Sequence, residues 1–409
     1  ISAGDHVLNV NGVDVVTVNN GATSASDGAI LAGFTADVEF DVADDVGALK
    51  SVMGSDDAAS YLTEANSIIV DDGTGSSVIN ASDGAILAGF TADVGFDVVD
   101  TADNIAAEVA GVSNSGDELN SVDANDVINT VVVSGGDVDA TEAGVIQSIS
   151  GYDASGSNYE ITDDVDAVIG AGSSVIDNVG VTRVEVTDDA DATEGVSLNA
   201  YNGNVDFNVE DTASNIATNA TNLTKADDVD AVSGTVTVAQ AEAVQGLTGY
   251  DASGSNYEIT DDAAAVISAG SSVIENDGVT RVEVTDDATA LQGVSLNAYN
   301  ANVDFDVSDT AEAIADNSGD LGKADEVFVE SGGNAVDVAE AQAIQGLVGY
   351  QTGASEYEID DTAAALISAG DSVLANGHIS VDVNNGAVNA SDGCLLYTSD
   401  AADDSLRVD

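Results

Sequence analysis

Carboxylates are the one chemically capable side chain present in number: aspartate and glutamate total 75, against 6 lysines and arginines. Many stand as doublets, Asp71-Asp72, Asp163-Asp164, Asp188-Asp189, Asp261-Asp262 and Asp286-Asp287. A hard cation such as calcium takes several carboxylate or carbonyl oxygens at once. Asp188, Asp189, Asp286 and Asp287 are the candidate metal ligands on this reading, holding an ion weakly between successive turns of chain. No doublet fits the D-x-[DN]-x-[DN]-G spacing of a calcium loop, so the expectation is loose condensation of cations on a polyanion. The competing use of the first aspartate of a doublet is to cap a helix. Paired carboxylates also hydrolyse glycosides, but acid/base work needs one pocket that drives two pKa values apart. Here each acid has counterparts elsewhere in the chain. His6 and His378 fall at unmatched places, and no G-x-S-x-G nucleophile, phosphate loop or zinc spacing occurs. The expected protein has no catalytic residues and no cofactor, calcium being the one ion its side chains suit.

What positions the acids is a recurring phrase. In V-D-F-D-V-S-D-T-A-E-A-I, Val303 to Ile314, Val303, Phe305 and Val307 alternate with polar residues, the period of a half-buried strand. Asp309 then stands where a helix N-cap belongs, and Glu312 completes a capping box. The phrase occurs seven times, with anchors Asp44, Asp100, Asp163, Asp211, Asp261, Asp309 and Asp360 as the expected helix caps. Their intervals, 56, 63, 48, 50, 48 and 51, define a unit of about fifty residues. Units alternate between a Tyr-Glu-Ile type and a Val-Asp-Phe type, and G-Y-D-A-S-G-S-N-Y-E-I-T-D-D occurs at Gly151 and again at Gly249.

Four elements are expected per unit. In the copy at Val205 these are a strand, a helix burying Ile216, Ala220 and Leu223, a weaker strand D-V-D-A-V-S, and a helix burying Ala239, Ala243, Val244 and Leu247. In the Tyr-Glu-Ile type the second strand is V-T-R-V-E-V, and G-V-S-L-N-A-Y-N after it is a poor helix, open to loop or strand. Strands joined through helices run parallel, and a coil of about 25 residues cannot hide its apolar face without a neighbour. The expected fold is α/β, a parallel strand-helix solenoid of about seven 50-residue units with two coils each, a rod of about 65 to 70 Å. The alternative is a string of β-sandwich domains of about 100 residues.

The formal charge of -69 excludes nucleic acid and anionic membrane as partners, because a polyanion is repelled at long range. Hydrophobic residues make up 44% of the chain in register, which favours folding over disorder. Proline is absent, as copying of one proline-free unit would leave it, and no apolar run is long enough to insert in a membrane. Starting at Ile1 without a leader, the sequence reads as a metagenomic fragment of something longer. Cys394 to Asp404, C-L-L-Y-T-S-D-A-A-D-D, resembles a translated sequencing-library adapter, which Val408 and Asp409 continue. The expected organisation is thus one repeat array, residues 1–393, and a non-biological tail, 394–409, that holds the single cysteine.

D-T-A-x-x-I after a strand, and V-A-Q-A-x-A-I/V-x-x-L before the next, resemble the repeats of giant acidic bacterial surface and secreted proteins, including adhesin-like proteins exported by type I secretion. The resemblance covers Ile1 to Gly393, most strongly from Gly151, and lacks the G-G-x-G-x-D calcium nonapeptide. It implies an extracellular or cell-surface spacer whose partners are other modules of the same chain. The second reading is a face that binds a surface glycan or protein. Such a face should vary between copies at outward strand positions, and Asp304 and Asp306 have acidic or amide counterparts elsewhere, which favours the spacer.

Overall fold

The structure is a computed structural model of the chain, and it describes residues 15–18, 21–34, 37–53, 65–71, 77–88, 94–109, 119, 128–333, 335–376 and 378–384. The fold is α/β. Every described strand pairing is parallel, which sets the β-sandwich alternative aside, because sandwiches are built from antiparallel sheets. The chain gathers into two compact units, one made chiefly of residues 1–190 and the other chiefly of residues 228–409.

In the first unit the ladder runs in chain order through Asp41–Asp44, Ser67–Val70, Val94–Asp100, Ile128–Val138, Asn158–Asp163, Val181–Val186 and Val205–Asp206. Asp41–Asp44, Val94–Asp100, Ile128–Val138 and Asn158–Asp163 each lead directly into a short helix, and Tyr159, Ile161 and Val184 point inward at 1% exposure or less.

The second unit repeats the plan. Thr235–Val236, Tyr257–Asp261, Val279–Val284 and Val303–Asp304 form one four-stranded sheet, again in chain order. Val303, Phe305 and Val307 are all buried as their alternation requires, although the strand breaks at Phe305 and resumes as Val307–Asp309. Successive helices pack on one another: Ala290–Asn297 lies against Ala311–Asn317, which lies against Val338–Gln345. Helices of seven or eight residues are unstable alone in water. Burial of Ile314, Ile344 and Leu296, none of which is exposed, holds them here, at about 1.5–3 kcal/mol per side chain.

One local reading needs correction, and one left open is decided. The helix Val238–Gln245 buries Val238, Ala241 and Val244, while Ala239 is exposed and Ala243 and Leu247 are half-buried. Alanines at every second position gave no unique face, and the capping box of Thr237 and Gln240 sets the start instead. G-V-S-L-N belongs to the helices Ala192–Asn199 and Ala290–Asn297. Its glycine weakens helix propensity, but a Cβ on Gly293 would lie 2.7 Å from Leu321 and 2.9 Å from Val307. Close packing therefore demands the residue that hid the helix.

Candidate functional site

The acidic doublets organise the molecule, though not as expected. In the strand Tyr257–Asp261 the terminal carboxylate accepts two backbone N–H groups at once. Asp261 Oδ2 takes the Val238 amide at 3.0 Å and Oδ1 takes the Asp262 amide at 3.0 Å. Val238 is the first residue of the preceding helix, so the aspartate of one coil completes the helix of the coil before it. Asp262 then caps its own helix, accepting from Ala265 at 2.8 Å. Two adjacent carboxylates thus serve two helices.

This clasp recurs. Asp44 holds Ala25, Asp100 holds Ala81, Asp163 holds Ala140, Asp211 holds Ala192 and Asp309 holds Ala290, all between 2.9 and 3.1 Å. These expected caps stand one residue too early. The residues whose side chains reach the N3 amide are Asp45, Thr101, Asp164, Asp262, Thr212 and Thr310. Asp360 is two residues early: Asp361 clasps Val338 at 3.2 Å and Thr362 caps. Asp360 occupies the place of Thr162 and Thr260, and its buried Oδ1 has no hydrogen-bond partner. The physical reason for the shift is geometric. An N-cap side chain reaches N2 or N3, leaving N1 open, and the last residue of the next strand fills it.

Two of the four candidate metal ligands belong to the same device. Asp188 accepts from Val165 at 2.8 Å and Asp286 from Ala263 at 2.7 Å, while Asp189 and Asp287 are exposed. His6, Asp72 and the tail 394–409 lie outside the described residues, and His378 begins the strand His378–Val383.

Desolvation raises the carboxyl of Asp100, but hydrogen bonds from Asn104, Ala81 and Thr101 outweigh it and hold the group below its ordinary value. Asp211 is lowered in the same way, against desolvation, by the Ala192 amide, Asn215 and Thr212. Burial pushes the phenols of Tyr159, Tyr257 and Tyr357 up. Each is neutral and accepts from a glutamine: Gln147, Gln245 and Gln345, at 2.7 to 2.8 Å. A buried serine pins each Gly-Tyr turn. Ser255 Oγ donates to the Asp251 carbonyl at 2.8 Å and accepts from the Ala231 amide at 2.9 Å.

The cations are engaged as well. Arg281 reaches Asp304 at 2.5 Å, Glu283 at 2.9 Å and Glu258 at 3.9 Å, carboxylates of three neighbouring strands, and Arg183 does the same with Asp206, Glu185 and Glu160. Lys225 and Lys323 donate to the carbonyls of Tyr201 and Tyr299, and Lys50 pairs with Asp83.

Among the described residues, one group of three acids could share an ion: Asp228, Asp230 and Asp251, with ligand oxygens all within 4.8 Å of one another. Sequence reasoning missed it because Asp251 is far along the chain from the other two. Backbone and side-chain hydrogen bonds from Ser253 keep the Asp251 carboxyl ionised below its usual range. The group is not repeated, since the matching residues are Thr130, Val132 and Asp153 in one copy and Glu326, Phe328 and Gln351 in the other. Three carboxylates supply the hard oxygens calcium takes, though fewer than its usual six to eight ligands. No helix among the described residues is long and apolar enough to cross a membrane. Comparison of the chain with models of known protein families gave no match, and comparison with curated proteins gave none either.

Proposed function

We propose that this chain is a non-catalytic structural and adhesive spacer from a large extracellular bacterial repeat protein, folded as a parallel strand-helix solenoid that binds cations loosely. The observation that carries the reading is the clasp: nine described helices are each completed by a carboxylate 19 or 23 residues further on. Such a unit is finished only by its successor, which is the logic of a stacked array. The clasping acids stand at matching places and are committed to backbone groups, which suits a scaffold better than an active site. Their surplus charge keeps the chain soluble and attracts cations.

The test is small-angle scattering from residues 1–393 and from a chain lacking residues 152–249, a deletion that joins one Gly-Tyr turn to the next in phase. Four coils at about 4.8 Å each predict a largest dimension shorter by roughly 19 Å, with the cooperative melt retained. A deleted chain that no longer folds, or one whose largest dimension does not fall, would overturn the solenoid and the spacer with it.

A further inference from the structure

The strands Ile128–Val138, Asp228–Ser233 and Val327–Val329 occupy matching places in three copies. Val131, Val229 and Val327 each donate to the carbonyl of the glycine opening the following turn, Gly151, Gly249 or Gly349, at 2.8 to 2.9 Å. Their inward residues barely change: those three valines are followed by Val133, Ala231 and Val329, all buried. The outward residue between them is Val132, Asp230 or Phe328, and the next outward one is Ser134, Val232 or Glu330. Inward constancy with outward change is what a face selected for contact would show.

In the third copy these changes meet at an open cleft of about 380 Å³ lined by Ser308, Phe328, Val329, Glu330, Ser331, Ala354 and Glu356. Ser308 and Phe328 sit side by side in the parallel register. Five of the seven differ from the other copies: Val99 and Glu210 match Ser308, Gly156 and Gly254 match Ala354, and Asn158 and Asn256 match Glu356, whereas Val329 has the same residue at Val133 and Ser331 at Ser233.

The cleft is lined by a half-buried phenylalanine and two exposed glutamates, with no basic group among its lining residues. The Ser308 hydroxyl is turned to Glu330, to which it donates at 3.1 Å. A ring face attracts a cation, and a guanidinium both stacks on an aromatic ring and donates in a planar fork to carboxylates. A neutral sugar would leave the two charges unanswered. We propose that this cleft binds an arginine side chain presented by a basic segment of a partner protein, the guanidinium lying over Phe328 and donating to Glu330 and Glu356. A chain of net charge -69 draws such a segment in from a distance. The proposal goes beyond the spacer reading and does not depend on it.

The experiment labels all 7 phenylalanines with 4-fluorophenylalanine in the full chain and assigns the Phe328 resonance by its loss in Phe328→Leu. Titration with acetyl-Gly-Arg-Gly amide is expected to move that resonance saturably and leave the other phenylalanines in place. The double variant Glu330→Gln, Glu356→Gln should raise the Kd roughly fivefold or more, with the unmoved resonances certifying its fold. The citrulline peptide, equal in shape and uncharged, should not bind. Equal binding of the citrulline peptide, a shift produced by a methyl glycoside and not by the arginine peptide, or a resonance that the arginine peptide leaves unmoved would each overturn the proposal.

Discussion

Asp309→Ala tests the clasp at its simplest. Asp309 Oδ2 accepts the Ala290 amide at 2.9 Å and Oδ1 accepts the Thr310 amide at 2.8 Å. Ala290 has no exposed surface, so its N–H loses its acceptor with no easy substitute, whereas water can reach Thr310. A hydrogen bond to a charged acceptor is worth about 1.5–3 kcal/mol. Counting the first bond in full and the second at a fraction gives an expected loss of about 2–4 kcal/mol. Asp309→Thr should recover only part of this, because one uncharged hydroxyl oxygen cannot reach both amides. Thr310→Asp, by contrast, should fall within about 0.5 kcal/mol of the parent, since aspartate and threonine cap alike. The control is Asp287→Ala, an exposed member of a doublet, expected within about 0.5 kcal/mol. Urea unfolding of residues 1–393, followed by circular dichroism at 222 nm, measures all four. If Asp309→Ala unfolds at the same urea concentration as Asp287→Ala, the clasp contributes nothing and the argument for mutual completion of coils collapses.

Acid should weaken the fold through the same groups. Asp100 and Asp211 are held below their ordinary values; their contribution is complete above the unfolded carboxyl value of about 3.9 and is lost as pH falls through the lower folded values. The urea midpoint should therefore drop below about pH 4, and drop less in Asp211→Asn. Asp325 runs the other way: desolvation, then the charges of Asp304 and Asp306, raise its carboxyl. Its protonated form favours folding, an advantage present at low pH and lost as pH rises through the raised value. Asp325→Asn should accordingly stabilise slightly at pH 7, by under about 0.5 kcal/mol for so exposed a group, and have no effect near pH 3. Gly278→Ala places a Cβ 2.3 Å from the Tyr250 hydroxyl and 2.9 Å from Ser255, and a melt should show a loss of about 1–3 kcal/mol.

Much of this fold was legible because it is written several times. Parallel strands, short capped helices and the inward set Val303, Phe305 and Val307 follow from periodicity alone, and Ile216, Ala220 and Leu223 are buried as their spacing implies. Two things were not legible. The cap was placed on the first acid of each doublet because a local pattern records what a side chain reaches within its own helix. A partner 19 or 23 residues upstream leaves no local mark. The variable strand was overlooked because Asp304 and Asp306 offered the clearer alternation. The short strand Val327–Val329 carries the outward change instead, and only the register shows that Phe328 stands beside Ser308.

The doublets also explain how so acidic a chain can fold. With 75 acids and 6 bases, side-chain cations cannot answer most of the charge, so backbone donors must do so. Helix N-termini are the richest supply, with up to four free N–H groups and the positive end of the dipole. An ordinary cap uses one of these amides; where clasp and cap meet, as on Val238–Gln245 and Ala263–Ala269, two are used and the next coil is anchored to the helix. The first position of the doublet is aspartate at 44, 100, 163, 211, 261, 309 and 361, because it must accept from two amides at once. The second is aspartate at 45, 164 and 262 but threonine at 101, 212, 310 and 362, because one acceptor oxygen suffices there. The short side chain of aspartate is the right length for both tasks, and glutamate occupies neither place in any of the seven. Much of the acidity is thus a condition of the architecture, since nine of the described helices are finished by a carboxylate from the coil that follows.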